Sequence, residues 1–394
     1  MKKKILIVSS SLTTGGLEKC LINLCDNFDY EKYEVDLYLF NEGRDLLEKL
    51  NKNVKLLPDS PYYADVYNRS FGDSVKRLLQ KKKLGLALYR LGRFLRVRFG
   101  DRKFSVIDWE CMKETMLKID TKYDVAIGFE EGSACYYVAE CVNADVKIGW
   151  IHTDIKKISN NKKLDERAFE KLDSVITVSR NSLRSLQEEY PAYTQKMQCV
   201  LLPTLLNYQE IDRLSQGETR MNPKEINLLS VGRLVELKGI HLCVPVCKRL
   251  LDEGYKVKWY VAGEGPYRAE IEKEIENYGV KDSFILLGNC CPYAYIRTAD
   301  ICVQPSSYEG YSVAVFEEKY LKKTVVVSNI PSNLEMITDK ENGVIVERRV
   351  EDIFNGIKYL LDNPTEREKM AQTPVRDLTS NEKIMQQIEK SFEK

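Results

Sequence analysis

Ile226-Asn-Leu-Leu-Ser-Val231-Gly232-Arg233-Leu-Val-Glu-Leu-Lys238-Gly239-Ile240 opens the second half of the 394-residue chain with a short apolar run, a glycine turn and the start of a helical pattern. The first residues do the same, since Met1-Lys-Lys-Lys-Ile5-Leu-Ile-Val8 runs into Ser9-Ser-Ser-Leu-Thr-Thr-Gly15-Gly16-Leu-Glu18-Lys19. A strand buried on both faces needs a short Val- and Ile-rich run, and a parallel neighbour needs a crossover helix between them. That unit begins twice, so the sequence predicts two doubly wound α/β domains.

Working outward, the expected strands of the first domain are Ile5–Val8, Val35–Phe40, Val54–Leu57, Val125–Gly128, Val146–Ile151 and Val175–Val178. Those of the second are Ile226–Val231, Val257–Ala262, Phe284–Leu287, Ile301–Gln304 and Thr324–Ser328, alternating with helices over Leu242–Asp252, Arg268–Asn277 and Glu309–Leu321. The joint is placed in the polar stretch Pro203–Pro223, giving domains 1–203 and 204–379, with a terminal helix over 380–394 packing back on the first domain. Ligands of such sheets bind beyond the carboxyl ends of the strands, so two facing domains imply a cleft.

Composition narrows the function. With 60 Lys plus Arg against 59 Asp plus Glu, the net charge of +1 excludes a uniformly basic nucleic-acid binder, and no nucleic-acid partner is expected. Eleven cysteines in an irregular, mostly apolar setting suggest a reducing compartment, and with two histidines and no CxxC pair no metal site is expected. Met1–Val8 is too short an apolar run for a signal peptide and reads as a first strand, which with the cysteines points to a cytoplasmic protein.

Three loops carry candidate chemistry. Gly15 and Gly16 sit at a strand-to-helix turn, where backbone amides can meet a phosphate, but the spacing is not GxGxxG and disfavours a nicotinamide cofactor. Arg233 and Lys238 pair a planar fork with a mobile point charge, a combination suited to a diphosphate or to plain solvated surface. Gln304-Pro-Ser306-Ser-Tyr-Glu309-Gly310-Tyr311-Ser312-Val313-Ala-Val-Phe-Glu317 places one glutamate in a loop and a second about two turns into a helix expected to begin near Gly310. There both carboxylates can accept bonds from vicinal hydroxyls, and the amides of Gly310, Tyr311, Ser312 and Val313 are expected to point outward toward an anion. His152, in Trp150-Ile-His-Thr-Asp154, falls at a strand end, while His241 is expected to be structural.

Together with Ala262-Gly-Glu-Gly265-Pro266 and with Ala299-Asp300 ahead of Pro305-Ser306, these pieces resemble the retaining GT-B glycosyltransferases that include bacterial capsule, lipopolysaccharide and teichoic-acid sugar transferases. The resemblance covers nearly the whole chain. It implies that Arg233 and Lys238 hold a donor diphosphate, Glu317 binds ribose hydroxyls, and Glu309 faces the transferred sugar. Amides at Gly16 and Gly310–Val313 would complete the cradle, with Gly15 beside it. Gly265 and the loop after Gly288 would border the base, and His152 would lie beside the reacting carbon. The implied catalytic set is His152, Arg233, Lys238 and Glu309. The implied reaction moves a sugar from a nucleotide-diphosphate co-substrate, a UDP-sugar, to a glycan or lipid-linked acceptor with retention and without a metal or cofactor. An epimerase of the same fold and a non-catalytic partner subunit are the rival readings. The chain departs from the family in carrying Glu318 after Glu317 and Lys322-Lys323-Thr324 where a Gly-x-Pro turn is usual, which puts that turn's geometry in question.

Lys76–Lys103 holds eleven Lys or Arg and one acid, Asp101, so its +10 leaves −9 for the rest of the chain. Leu84, Leu88, Leu91 and Leu95 share one helical face and Lys82, Arg90, Arg93 and Arg96 another. The pattern is that of a helix lying on an anionic membrane, leucines inserted and cations beside lipid phosphates, or of a helix packing its leucines on the domain. The first reading puts the enzyme on the inner face of the cell membrane.

Overall fold

The computed structural model of the chain describes residues 2–13, 15–100, 103–158, 161–376 and 379–393, so Thr14 in the first loop and Asp101 in the basic segment lie outside the described residues. The chain divides into two compact units, one of Met1–Leu205 with Asn381–Lys394 and one of Leu206–Ser380. The division falls two residues beyond the joint expected from sequence.

The first unit is built on a sheet of seven strands: β1 (Lys3–Ser9), β2 (Tyr33–Leu39), β3 (Lys55–Leu56), β4 (Tyr123–Gly128), β5 (Ala144–Ile151), β6 (Ser174–Thr177) and β7 (Met197–Cys199). They lie in the order β3-β2-β1-β4-β5-β6-β7, and every pairing is parallel. The second unit repeats the arrangement with β8 (Ile226–Val231), β9 (Val257–Ala262), β10 (Phe284–Gly288), β11 (Ile301–Gln304), β12 (Thr324–Ser328) and β13 (Val344–Val346), in the order β10-β9-β8-β11-β12-β13. Each sheet reverses its direction of growth once, between β1 and β4 and between β8 and β11. That reversal leaves a crevice at the strand ends which helices on the two faces cannot fill.

Continuous apolar strands follow from burial on both faces: Ile5, Leu6, Ile7 and Val8 are all fully buried. Leu6, Val8, Trp109 and Phe169 anchor one core, and Leu228, Trp259, Val303 and Phe354 the other. The terminal helix Asn381–Lys390 buries Ile384 and Ile388, and Phe392 stacks on Phe28 at 6.5 Å and meets Tyr33 edge-on at 6.0 Å, all within the first unit. None of the eleven cysteines is joined in a disulfide. Among the described residues no helix is long and apolar enough to cross a membrane.

The turn after Glu317 departs from the expected glycine pattern without losing its shape. The helix Val313–Tyr320 ends with Lys323 N–H donating to Glu318 O (2.9 Å) and Lys322 N–H to Lys319 O (3.0 Å), a Schellman closure. Lys322 occupies the left-handed position at φ 56°, which costs a side-chain-bearing residue ~1–2 kcal/mol.

The basic segment corrects the sequence reading. The helix Leu84–Arg98 carries leucines and arginines on opposite faces, but the arginine face is the one turned to the protein. Arg96 bonds Asp108, Arg93 reaches the same carboxylate at 3.5 Å and the Tyr89 hydroxyl at 3.3 Å, and Arg90 bonds Arg69 O at 3.5 Å. Asp108 is 1% exposed; burial works to raise its pKa, yet Arg96 and Ser105 outweigh it and hold the carboxyl at about 2. Arg93 and Arg96 therefore fasten the buried Asp108, which needs paired donors, and Arg90 holds the Arg69 carbonyl, so this face is turned to the protein rather than outward to lipid. Lys82 alone of the four expected membrane cations is exposed.

Candidate functional site

In the second unit the loops after β8 and β11, the two strands flanking the reversal, are stitched together. Ser307 N–H donates to Leu237 O (2.8 Å), and the Arg348 guanidinium bridges Pro305 O (3.2 Å) and Glu236 O (3.0 Å). Gly239 lies in the left-handed region at φ 71°, and a Cβ there would stand 2.3 Å from Pro305 O, so the loops could not meet with another residue at that position. The loop after β9 closes on the same turn, with Gly232 N–H bonded to Ala262 O (3.0 Å) and Leu234 N–H to Glu264 O (2.8 Å). Gly265 belongs to this contact, since a Cβ on it would meet Leu234 O at 2.3 Å.

On this frame Lys238 forms an ion pair with Glu309, whose Oε1 also accepts the Ser306 hydroxyl at 2.7 Å. Both side chains keep some solvent access, 21% and 14% exposed. Glu317 is 2% exposed and its Oε1 accepts the Tyr293 hydroxyl at 2.9 Å. Arg233 is exposed in the loop leading to Lys238. Two details of the sequence reading change. The helix begins at Val313 with Ser312 as its N-cap, because the Ser312 hydroxyl accepts the Val315 N–H at 3.5 Å, so Glu317 stands little more than one turn in. The Val313 amide turns back to Tyr311 O (3.1 Å) rather than outward, while Tyr311 and Ser312 are buried and Gly310 is partly exposed.

Beneath Glu317 lies a second carboxyl. Glu318 is fully buried, its Oε1 accepts Gln304 Nε2 at 2.6 Å, and its Oε2 is buried without a partner. Burial pushes its pKa up to about 8, against the Gln304 bond, with Glu317 adding to the rise. It is a neutral acid near pH 7.

In the first unit the helix Gly16–Asn27 starts at the end of the loop after β1, with Gly15 as an extended N-cap. Glu18 folds back over this loop: its Oε1 accepts the Thr13 hydroxyl at 3.1 Å, and its Oε2 lies 2.3 Å from where a Gly15 Cβ would be. Across the reversal, Glu130 after β4 accepts the Ser10 N–H. Burial pushes Glu130 up to about 7 against that bond, with Glu131 and Glu18 adding to the rise. His152 after β5 donates its backbone N–H to Glu131 Oε2 at 2.9 Å and packs 4.9 Å from the Phe129 ring. Burial drives the imidazole down to about 4, although Glu131 and a bond to the Phe129 backbone oppose this, and Nε2 is buried without a partner. His152 is therefore neutral at physiological pH. His241 packs edge-on to Tyr267 at 5.5 Å.

Residues 213–374 match the family model of glycosyl transferases group 1, a stretch inside the second unit that includes Arg233, Lys238, Glu309 and Glu317. That stretch is similar to the glycosyl transferases of group 1. Among curated proteins it is 27% identical over 182 residues to an alpha-D-kanosaminyltransferase of Streptomyces kanamyceticus, covering 42% of this chain and 47% of that protein. It is 28% identical over 138 residues to a poly(ribitol-phosphate) alpha-N-acetylglucosaminyltransferase of Staphylococcus aureus, covering 34% of this chain and 28% of that protein. The alignments thus span less than half the length of these relatives. Among solved structures, Anabaena HepE in complex with UDP superposes with a TM-score of 0.69 at 15% identity, over 99% of both chains. A mutant of S. aureus TarM in complex with fondaparinux, alpha-GlcNAc-glycerol and UDP gives 0.71 at 15% identity, over 100% of both. The fold is GT-B.

The matched stretch uses residues that sequence reading does not single out. Tyr293 holds Glu317 and Arg348 holds the loops, and outside that stretch Glu130 and Glu131, which follow β4, hold the ends of β1 and β5. Glu130 and Glu131 could have been found from their place directly after a strand that flanks the reversal. Arg348 left no signal, because a long-range bond to two carbonyls has no local pattern.

Proposed function

We propose that this chain is a retaining glycosyltransferase that moves a sugar from a nucleoside diphosphate donor, a UDP-sugar, to a glycan or lipid-linked acceptor of the cell surface. The observation that carries the reading is the Lys238–Glu309 pair at the strand reversal of the second unit, with Glu317 one turn into the helix that follows. An ammonium poised by a carboxylate at that place suits a diphosphate. The UDP in complex with HepE and TarM supports the choice of base, and the poly(ribitol-phosphate) relative supports a polymer acceptor.

In this reading Lys238 and Arg233 neutralise the diphosphate as it leaves, without a metal or cofactor. Glu317 takes the ribose hydroxyls and Glu309 holds the sugar. The acceptor oxygen bonds the anomeric carbon on the face from which the diphosphate departs, and the acceptor's proton passes to a diphosphate oxygen. Hydrolysis in the glycosidase manner fits less well, because Glu309 is bound to a cation and Glu317 is buried on Tyr293, leaving no free acid and base. The first unit takes the acceptor, whose lipid or tethered polymer brings the enzyme to the inner face of the cell membrane.

A nucleotide-release panel over UDP-, GDP- and dTDP-sugars, with lipid-linked and polymeric acceptors, tests this. Acceptor-dependent release of UDP, undiminished by a chelator, with an anomeric configuration matching the donor by NMR is the expected result. Conversion of the donor to a free epimer would favour an epimerase, and no turnover with any donor a binding subunit. Tyr293→Phe is expected to cost about 1–2 kcal/mol in donor binding, raising KM roughly 5- to 30-fold with kcat nearly unchanged, because it frees one oxygen of Glu317 to turn from the ribose.

A further inference from the structure

The helix Leu84–Arg98 is inside out. Leu84 is 63% exposed, Leu88 69%, Leu91 43% and Leu95 44%, and Phe99 just past its end is 84% exposed. Leu79, Phe94 and Val97 are exposed as well, so most of the large exposed apolar side chains among the described residues fall within Leu79–Phe99. A surface helix ordinarily turns its leucines in and its charges out. Here the inward face is held by Leu86, Ala87 and the arginines on Asp108 and Arg69 O, so rotating the helix would strand a buried aspartate. The outward leucines are thereby fixed in place, and a contiguous apolar patch with a charged rim marks a docking surface.

The rim selects the occupant. Lys76, Lys82, Lys83 and Arg98 are exposed in the same segment as the leucines, Lys83 with its ammonium over the Tyr62 ring at 4.6 Å, and residues 76–100 contain no acid. A second copy docking by two-fold symmetry would bring this basic rim against itself. An anionic bilayer offers acyl chains to the leucines and phosphates to the rim. We infer that the helix Leu84–Arg98 docks the protein on an anionic lipid bilayer, its leucine face buried at the headgroup boundary and Lys76, Lys82, Lys83 and Arg98 beside the phosphates. The arginines expected from sequence to touch lipid instead hold the helix in this orientation. The inference names the membrane partner of the proposed enzyme and rests on that reading for its purpose alone, since its test needs no turnover.

The full chain is floated with vesicles containing phosphatidylglycerol and with vesicles of phosphatidylcholine only, and Leu88→Gln/Leu91→Gln/Leu95→Gln is compared with Lys82→Gln/Lys83→Gln/Arg98→Gln. The wild type is expected to favour the anionic vesicles, and each triple variant to bind them at least about tenfold more weakly. Because Trp109, Trp150 and Trp259 are fully buried, Leu88→Trp supplies an exposed reporter whose emission should shift to the blue on anionic vesicles and be quenched by brominated lipid. Unchanged flotation of the leucine variant overturns the inference. So does a dimer in sedimentation that the leucine variant makes monomeric, which would give the face to a second copy. Nucleotide release with a soluble acceptor, measured on the same variants, separates the two proposals: release without flotation leaves the enzyme reading standing, and flotation without release leaves the docking face standing.

Discussion

Lys238→Ala is expected to lower acceptor-dependent nucleotide release by about 10²–10³-fold, the loss of ~2.7–4 kcal/mol that follows removal of one preorganised donor from a developing negative charge. The fold should survive. Lys238 is partly exposed, and an ion pair with that much solvent contributes ~0–1 kcal/mol to stability. Glu309 keeps the Ser306 hydroxyl when the ammonium is gone. Thermal melting and circular dichroism of the variant should therefore match the wild type while turnover collapses. Turnover within a factor of about three of wild type would remove Lys238 from the leaving-group site and with it the assignment of the second unit to the donor.

Glu318→Gln should change the pH dependence of stability rather than the rate alone. The folded pKa of Glu318, about 8, lies above its ordinary value of 4.5, so between those limits the folded chain holds a proton that the unfolded chain has released. Stability contributed by this group is complete below pH 4.5 and is lost as pH rises toward 8. Glutamine keeps an oxygen for the Gln304 amide, fills the same volume and has no proton to lose. The variant should melt within a degree or two of wild type at pH 5 and several degrees higher at pH 8, at ~2–4 °C per kcal/mol for units of this size. The comparison stops at pH 8 because Lys319, whose pKa burial lowers to about 8, is itself titrating there and from that point upward works in the opposite sense. Equal melting temperatures at pH 8 would mean that Glu318 is solvated and charged.

Strands of four to eight apolar residues bounded by polar turns are legible in a sequence, and β8, β9, β11 and β12 have the limits expected of them. Met197–Cys199 and Val344–Val346 escaped because three residues carry no period and only their neighbours in the sheet make them strands. The helix start at Val313 rather than Gly310 is written in Ser312, an N-cap before an apolar run, which is a stronger start signal than the glycine.

The site divides along the same line. Residues that act through charge at strand ends, Lys238 and Glu309, could be singled out, because a loop at a strand end leaves them few places to go. Tyr293 and Arg348 could not, since each works through a partner distant in sequence. The basic helix shows the limit most clearly. Its periodicity separates leucines from arginines but cannot say which face meets the protein. That was decided by Asp108, a dozen residues away from Arg96, whose burial no local pattern announces.

The terminal helix has a consequence for synthesis. Phe392 and Ile388 complete the core of a unit whose other residues end at Leu205, with the whole second unit threaded between. On the ribosome the second unit, uninterrupted from Leu206 to Ser380, has all its strands available before the first has its last piece. The half that emerges first is finished last, and a message cut short before the codons of 381–394 would release a sound second unit beside a first one with its aromatic seam around Phe28 and Tyr33 left open.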